Sequence, residues 1–302
     1  MLTNDADLKV KDELERYRKL FEDYLGSSSG ERNREVPEKL SKAMDYSLFA
    51  GGKRLRPVLC MAAAERFGCP IFDSLPLALG FEMLHTATLI HDDLPCMDDD
   101  DLRRGKPSNH AVFGETLAVL AGDALLALSL EYPLCRSRNI EPHKLLKAMQ
   151  IFSRSIGPSG VCGGQVLDMD TSPATDDPNC VRRVASMKTG TLIRAAVTAG
   201  AALGTDDANI LSCCWRYGTH IGSAFQIIDD MLDVSSTAAE LGKTPGKDAE
   251  QGKMTHVTAY GMKKAAEIAE TETKLAREAI LDLLPEDDFL AEFPEYLLRR
   301  TH

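Results

Sequence analysis

Aromatic residues are scarce in this chain, at 6% of 302 residues with a single tryptophan. Sustained apolar–polar alternation, the mark of half-buried strands, is missing as well. Alanine and leucine are abundant, so these two deficits favour packed helices over sheets. Positive charge is short: 35 Lys and Arg against 46 Asp and Glu leave a formal net charge of −11. That balance argues against nonspecific nucleic-acid binding, which needs a basic surface. No two cysteines have Cys-x-x-Cys spacing, so Cys60, Cys69, Cys96, Cys135, Cys162, Cys180, Cys213 and Cys214 do not read as a zinc ribbon. A chain of this size does not need disulfide staples, and reduced thiols are expected. No apolar run reaches a membrane span. The nearest, Thr116 to Leu130, holds Gly122 and Asp123 and reads as a core helix, with a buried partner expected for Asp123. The acidic segment Met1 to Glu15 is unlike a signal or an arginine-rich transit peptide. A cytoplasmic location is expected, with a plastid as the alternative if a transit peptide has been removed.

Two aspartate-rich clusters stand out against this background. The first is His91-Asp92-Asp93-Leu94-Pro95-Cys96-Met97-Asp98-Asp99-Asp100-Asp101, followed by Leu102-Arg103-Arg104-Gly105. The second is Gln226-Ile227-Ile228-Asp229-Asp230-Met231-Leu232-Asp233. Mg²⁺ takes oxygen ligands, keeps waters, and is often held by a few carboxylates plus substrate phosphates. An acidic run by itself is ordinarily a solvated face, and either cluster alone admits that reading. Taken together, each flanked by cations and apolar helix, they suggest a site that grips a diphosphate through metal.

Helix geometry places both clusters. Residues three, four and seven apart share a face, so Gln226, Asp229, Asp230 and Asp233 project to one side. Phe225, Ile228 and Leu232 lie on another side and can pack. Gly218 and Gly222 continue the polar face, where they are expected to leave open volume beside the carboxylates. Phe81 to Asp93 reads as a helix that Pro95 ends near Leu94. Asp92 and Asp93 then sit at a helix C-terminus, where the macrodipole disfavours an anion. A bound cation, or Arg103 and Arg104, would resolve that conflict.

Further helices are expected over Asp7–Leu25, Lys39–Phe49, Val58–Phe67, Val181–Leu203, from about Asp207 through the second cluster, and as a hairpin from Thr255 to Leu284. Gly26–Arg34, Gly157–Gly164, Pro173–Pro178 and Leu241–Asp248 read as loops or breaks. Gly51 and Gly52 permit a sharp turn, and Pro57 suits the first turn of the helix that follows. Lys53 and Arg56 are thereby placed to bind an anion at a helix N-terminus; a solvated turn is the alternative reading of that segment alone. With 44% hydrophobic residues, no repeat and no dividing linker, the expectation is one all-α domain over residues 1–302, a helical bundle around a central cavity.

The segments Gly51-Gly52-Lys53-Arg54-Leu55-Arg56-Pro57, His91-Asp92-Asp93 through Arg104-Gly105, Gly163-Gly164-Gln165, Lys188-Thr189, Phe225 to Asp230 with Asp233, and Gly242-Lys243 resemble the trans-isoprenyl diphosphate synthases. They occur in that family's order and span most of the chain. The likeness is greatest to the geranylgeranyl and farnesyl diphosphate synthases of bacteria and plastids, because two residues are inserted in the first cluster. The resemblance implies an isoprenoid-synthase fold, a homodimer, and head-to-tail condensation of isopentenyl diphosphate with an allylic prenyl diphosphate. It implies Mg²⁺ as cofactor, with Asp92, Asp98 and Asp229 as ligands and Asp93, Asp230 and Asp233 in support. Arg103, Lys188, Thr189, Gln226, Lys243 and Lys253 resemble the allylic-diphosphate contacts. Lys53, Arg56, His85 and Arg104 resemble the isopentenyl diphosphate site.

In this family the residues four and five before the first aspartate limit product growth; here they are the small Thr88 and Ala87. The tail is then expected to pass Leu84 and Met83 towards Phe81, roughly 16 Å along the helix from Asp92 at 1.5 Å per residue. That depth suits a C20 product, geranylgeranyl diphosphate, with a farnesyl or longer prenyl diphosphate as the alternative. A non-catalytic partner subunit is the rival from another class, but such chains usually lose one aspartate cluster or its basic partners. A class I terpene cyclase is disfavoured by the paired basic motifs for a second diphosphate.

Overall fold

Apolar residues at helical spacing along most of the chain give a bundle of α-helices in the computed structural model, which describes residues 5–170, 178–235 and 255–299. In chain order these are α1 (Asp5–Ser27), α2 (Ser29–Arg32), α3 (Glu38–Leu48), α4 (Leu55–Arg66), α5 (Ile71–Asp92), α6 (Asn109–Phe113), α7 (Glu115–Arg136), α8 (Pro142–Ile156) and α9 (Val161–Asp168). After α10 (Pro178–Val184) and a π-helical turn (Ala185–Gly190) come α11 (Thr191–Gly204), α12 (Ala208–Ser235), α13 (His256–Tyr260), α14 (Met262–Leu281) and α15 (Phe289–Arg299). Among the described residues the only strands are β1 (Leu102–Arg103) and β2 (Lys106–Pro107), an antiparallel pair just after the first acidic cluster. The all-helical expectation holds. One contiguous apolar core joins residues from α1 through α15.

Helix α5 sits at the centre. It is apolar nearly all round, with Leu77, Ala78, Leu79, Phe81, Met83, Leu84 and Ala87 fully buried, the signature of an interior helix. It packs on α4 and α7. Contact with α7 is close because Gly80 has no side chain: a Cβ there would lie 2.8 Å from the Ser129 carbonyl oxygen. Gly122 does the same in reverse, leaving room on α7 for the His91 ring, which would lie 2.1 Å from a Cβ at that position.

Several expectations are corrected. Gly218 and Gly222 do not leave open volume beside the carboxylates. They bring α12 into backbone contact with its neighbours, since a Cβ on Gly222 would lie 2.5 Å from the Gly190 Cα and one on Gly218 2.6 Å from the Arg194 Cα. The break expected over Gly157–Gly164 is shorter: Gly163 and Gly164 lie inside α9. Gly164 is needed there, because a Cβ would collide with the Lys188 backbone at 2.3 Å. Gly26–Arg34 contains the short helix α2 instead of loop throughout. Helix α7 extends to Arg136, so by length and composition alone it could cross a membrane. Only 39% of its apolar window is buried. Its inner face packs on α5, while Val119, Leu120 and Leu134 face outward and Asp123 is exposed beside His91 rather than buried with a partner.

Candidate active site

The first acidic cluster begins where α5 ends, and the chain then folds back on itself. The Asp98 amide donates to the Asp92 carbonyl at 2.8 Å and the Asp100 amide to the Asp93 carbonyl at 3.2 Å. Asp99 takes a left-handed backbone, φ 50°, to complete the turn. Asp98 therefore returns to the level of Asp92. Asp93, one position on, points into the protein: it is buried and accepts hydrogen bonds from Arg103, through Nε at 3.0 Å and also through Nη2. The hairpin β1–β2 positions Arg103 for this, and Asp100 sits on the same guanidinium at 3.4 Å.

Lys188 lies on the π-helical turn and reaches the first cluster. Its Nζ donates to the Asp168 carboxylate at 2.7 Å and lies 4.0 Å from that of Asp92. Burial pushes the Asp92 carboxyl up to about 6; Lys188 and Arg103 oppose the shift, while the charges of Asp98 and Asp168 add to it. Thr189, next in sequence, turns to the second cluster and donates from Oγ1 to Gln226 Oε1 at 2.6 Å. Gln226 donates in turn to Asp230 at 2.7 Å. The other Asp230 oxygen is met by the backbone amide of His256 at 2.9 Å and its Nδ1 at 2.8 Å, where α13 begins. Two consecutive residues thus join the two acidic clusters. A π-helical turn is a common device where side chains must be re-aimed at a functional site.

The basic segment after Gly51-Gly52 forms the other side of the site. Arg54 takes the left-handed conformation, φ 51°, and its buried guanidinium donates to Glu82 at 2.5 Å, Glu22 at 2.7 Å and the Leu48 carbonyl at 2.9 Å. Arg104 donates to the Gly51 carbonyl and lies 3.8 Å from the same Glu82. Arg56 keeps a buried Nε with no hydrogen-bond partner. Burial pushes its guanidinium down to about 10, with Glu82 and Asp229 pulling the other way. That pull is the electrostatic link from the basic segment to the second acidic cluster. His85, one turn beyond Glu82 on α5, is held neutral: burial, then Arg56 and Arg104, push its pKa well below the ordinary value. Lys53 stands 5.9 Å over the Phe225 ring, beside the second cluster.

An apolar cavity of about 520 Å³ opens at Asp92. Thr88 and His91 of α5, Met97, Leu126 of α7, Ile156 of α8, and Val166 and Met169 at α9 line it. Its volume is in the range of pockets that enclose a small molecule. Below it, Phe81 and Phe152 meet edge to face at 4.6 Å. Of the expected chain-length residues, only Thr88 lines the wall. Ala87, Leu84 and Phe81 are fully buried in the core, so the wall is shared among α5, α7, α8 and α9 rather than running down one face of α5.

The donor set suits a hard cation. Asp92 offers carboxylate oxygens at the lip of the cavity, with the Asp98 charge close enough to act on it, and Asp229 and Asp233 lie on α12 in the second cluster. Among the described residues no three His, Cys, Asp or Glu side chains form a ready-made cage. Asp93 and Asp230, expected in support of the ligands, are engaged within the protein, Asp93 by Arg103 and Asp230 by Gln226 and His256. Asp168, Glu82 and His256 were not among the expected site residues. Asp168 follows Gln165 at helical spacing and could have been read from Gly163-Gly164-Gln165; nothing local to Glu82 or His256 announces their roles. Lys243 and Lys253 lie outside the described residues.

The Polyprenyl synthetase family model matches residues 37–282. The chain is 41% identical over 99% of its length to a dimethylallyltranstransferase of Fischerella ambigua, covering 86% of that protein. It is 44% identical over 83% of its length to geranylgeranyl pyrophosphate synthase 11, chloroplastic, of Arabidopsis thaliana, covering 70% of it. The fold matches a solved geranyltransferase of Helicobacter pylori, complexed with magnesium and isoprenyl diphosphate, at a TM-score of 0.79 and 29% identity, over 99% of this chain and 98% of that one. The chain belongs to the polyprenyl synthetase family. It is a trans-prenyltransferase.

The raised Asp92 pKa has a thermodynamic consequence for the metal-free protein. A carboxyl whose folded pKa exceeds its unfolded value near 3.8 binds its proton more tightly when folded, so it contributes stability at low pH that is lost as pH rises through about 6. Asp92→Asn is therefore expected to stabilise chelator-treated protein at pH 7.5 by about 2–3 kcal/mol and to flatten stability between pH 4 and 6. Thermal melts of both proteins across that range check it, and an unchanged pH profile contradicts it.

Proposed function

We propose that this chain is a magnesium-dependent synthase that condenses isopentenyl diphosphate with allylic prenyl diphosphates, geranylgeranyl diphosphate being the main product. The observation that carries the reading is the junction at Lys188 and Thr189, which ties both aspartate clusters to the mouth of an apolar cavity. Relatives named as geranylgeranyl synthases support the product class.

Asp92, Asp98 and Asp229 would hold the metal, with Asp233 beside them. Mg²⁺ when bound offsets the charge that develops on a departing diphosphate. Lys188 and Thr189, with Gln226 orienting Thr189, bind the allylic diphosphate at the cavity mouth; Arg103, held by Asp93, faces the same cluster. Lys243 and Lys253 are assigned to this diphosphate on family resemblance. Lys53, Arg56 and Arg104 form the cationic wall for isopentenyl diphosphate, and the unpaired Arg56 Nε is a donor awaiting an oxygen. Neutral His85 can hydrogen-bond there without adding charge. The prenyl tail lies in the cavity, whose apolar wall excludes water from a developing allylic cation. The outward face of α7, on which Val119, Leu120 and Leu134 are exposed, is the proposed homodimer surface.

Three outcomes test these assignments. Purified protein given isopentenyl diphosphate, an allylic primer and Mg²⁺ should form C20 product, and chelation should abolish turnover; undiminished turnover without metal refutes the scheme. Thr88→Phe should fill the upper cavity and shift the product to a shorter chain, read by chromatography of the hydrolysed prenols. Leu120→Asp should shift the protein from dimer to monomer in analytical ultracentrifugation, and an unaltered sedimentation profile argues against the α7 interface.

A further inference from the structure

A second cavity, of about 400 Å³, lies between α8, α11 and α12 and shares no lining residue with the prenyl cavity. Helix α8 presents Lys147, Gln150, Ile151 and Arg154 to it, at the i, i+3, i+4, i+7 spacing that makes one face. Thr191 and Arg194 enter from α11, and Trp215 closes it from α12.

The charge of this cavity is one-sided. Three cations line it, and among the described residues no carboxylate does. Arg194 is unusually placed for an arginine. Its guanidinium carbon stands over the Trp215 indole, 4.3 Å from the ring centre, and among the described residues it donates only to Thr191, at 3.3 Å. Its Nε is buried with no partner. Burial and the neighbouring Arg154 charge both push it below the ordinary arginine range. Arg194 thus keeps a buried donor unused beside the like charge of Arg154, and an anion would satisfy the one and offset the other. In a chain of net charge −11 the concentration of cations here is not a by-product of composition. Ile151, Ala195 and the indole add apolar surface, and the volume exceeds what a bare phosphate fills.

We propose that this cavity binds a small phosphate or diphosphate ester, its anionic head on Lys147, Arg154 and Arg194 and its apolar or planar body against Trp215. Arginine forks match phosphate oxygens bidentately, and an indole face accepts either a hydrocarbon or a ring. The site is independent of the diphosphate pair at the aspartate clusters. Its wall α8 also supplies Ile156 to the prenyl cavity, so the two cavities are separated by one helix.

Trp215 is the only tryptophan in the chain, so its emission reports on this cavity. Chelator-treated full-length protein is titrated separately with inorganic pyrophosphate, geranyl diphosphate and adenosine monophosphate. At least one should give a saturable change in emission that weakens as salt is raised. Saturation by pyrophosphate alone identifies the charge as the recognised feature, while tighter binding of geranyl diphosphate or of the nucleotide identifies the source of the ester. Lys147→Gln with Arg154→Gln changes two exposed side chains that do not touch the indole, and should weaken the apparent affinity by about tenfold or more. Arg194→Gln should abolish the response, with its melting temperature recorded alongside. No saturable change with any probe, or an identical titration in the Lys147→Gln, Arg154→Gln protein, overturns the proposal. Because metal is absent throughout, neither outcome depends on the prenyl-transfer reading.

Discussion

Glu82 is one carboxylate in the middle of an apolar helix, and the cationic half of the site is assembled on it. Isolating such a charge in the core would cost several kcal/mol, and the cost is offset only because arginines converge on it. Arg54 supplies the tightest contact and must adopt a left-handed backbone to do so. Arg104 comes from the far side of the acidic loop, also left-handed, φ 53°, and leans on the same carboxylate while gripping Gly51. Arg56 feels Glu82 without touching it, and so retains an unused donor. Glu82 therefore spends its negative charge on the structural arginine and leaves its neighbour free for a ligand.

The same helix ends in the opposite kind of charge. Ten residues separate Glu82 from Asp92, close to three turns, so α5 carries a cation-gathering carboxylate inside and a cation-seeking one at its tip. Between them His85 stays uncharged because burial, and then the arginines around it, disfavour its proton. The site is thus graded along one axis, with fixed positive charge towards the basic segment and carboxylate towards the lip of the cavity. Preorganised charge of this sort needs little rearrangement when a diphosphate arrives.

Much of this was legible from residue spacing. The face shared by Gln226 and Asp230 is real, and the helix C-terminus at Asp92 falls where Pro95 requires. What spacing cannot show is which of two adjacent residues turns inward. Asp92 and Asp93 look equivalent in sequence, yet the fold-back of Asp98 to Asp100 leaves one at the cavity and seals the other against Arg103. Glycine misled in a consistent way. Gly218, Gly222 and Gly164 looked like open space or chain breaks, and each instead marks a place where two backbones touch, a fact that belongs to the partner helix. The share that α7, α8 and α9 take in the cavity wall was hidden for a related reason: a helix viewed alone does not reveal which of its faces its neighbours have already covered.

The π-helical turn before α11 holds about one residue more than its α-helical flanks, and that surplus adds a side chain within the turn while the flanks stay nearly in phase. Upstream of it, α10 and α9 are keyed to the first aspartate cluster through Lys188; downstream, α11 is keyed to the second through its crossing with α12. Removing a single amino acid here would heal the helix into an ordinary one with its flanks nearly in phase, but would lose the local geometry that sends Lys188 and Thr189 to different clusters. Such a deletion would leave the core's composition intact and yet unhitch the two aspartate clusters from each other. In lineages descended from this sequence, length in the segment 185–190 should accordingly be guarded more strictly than residue identity.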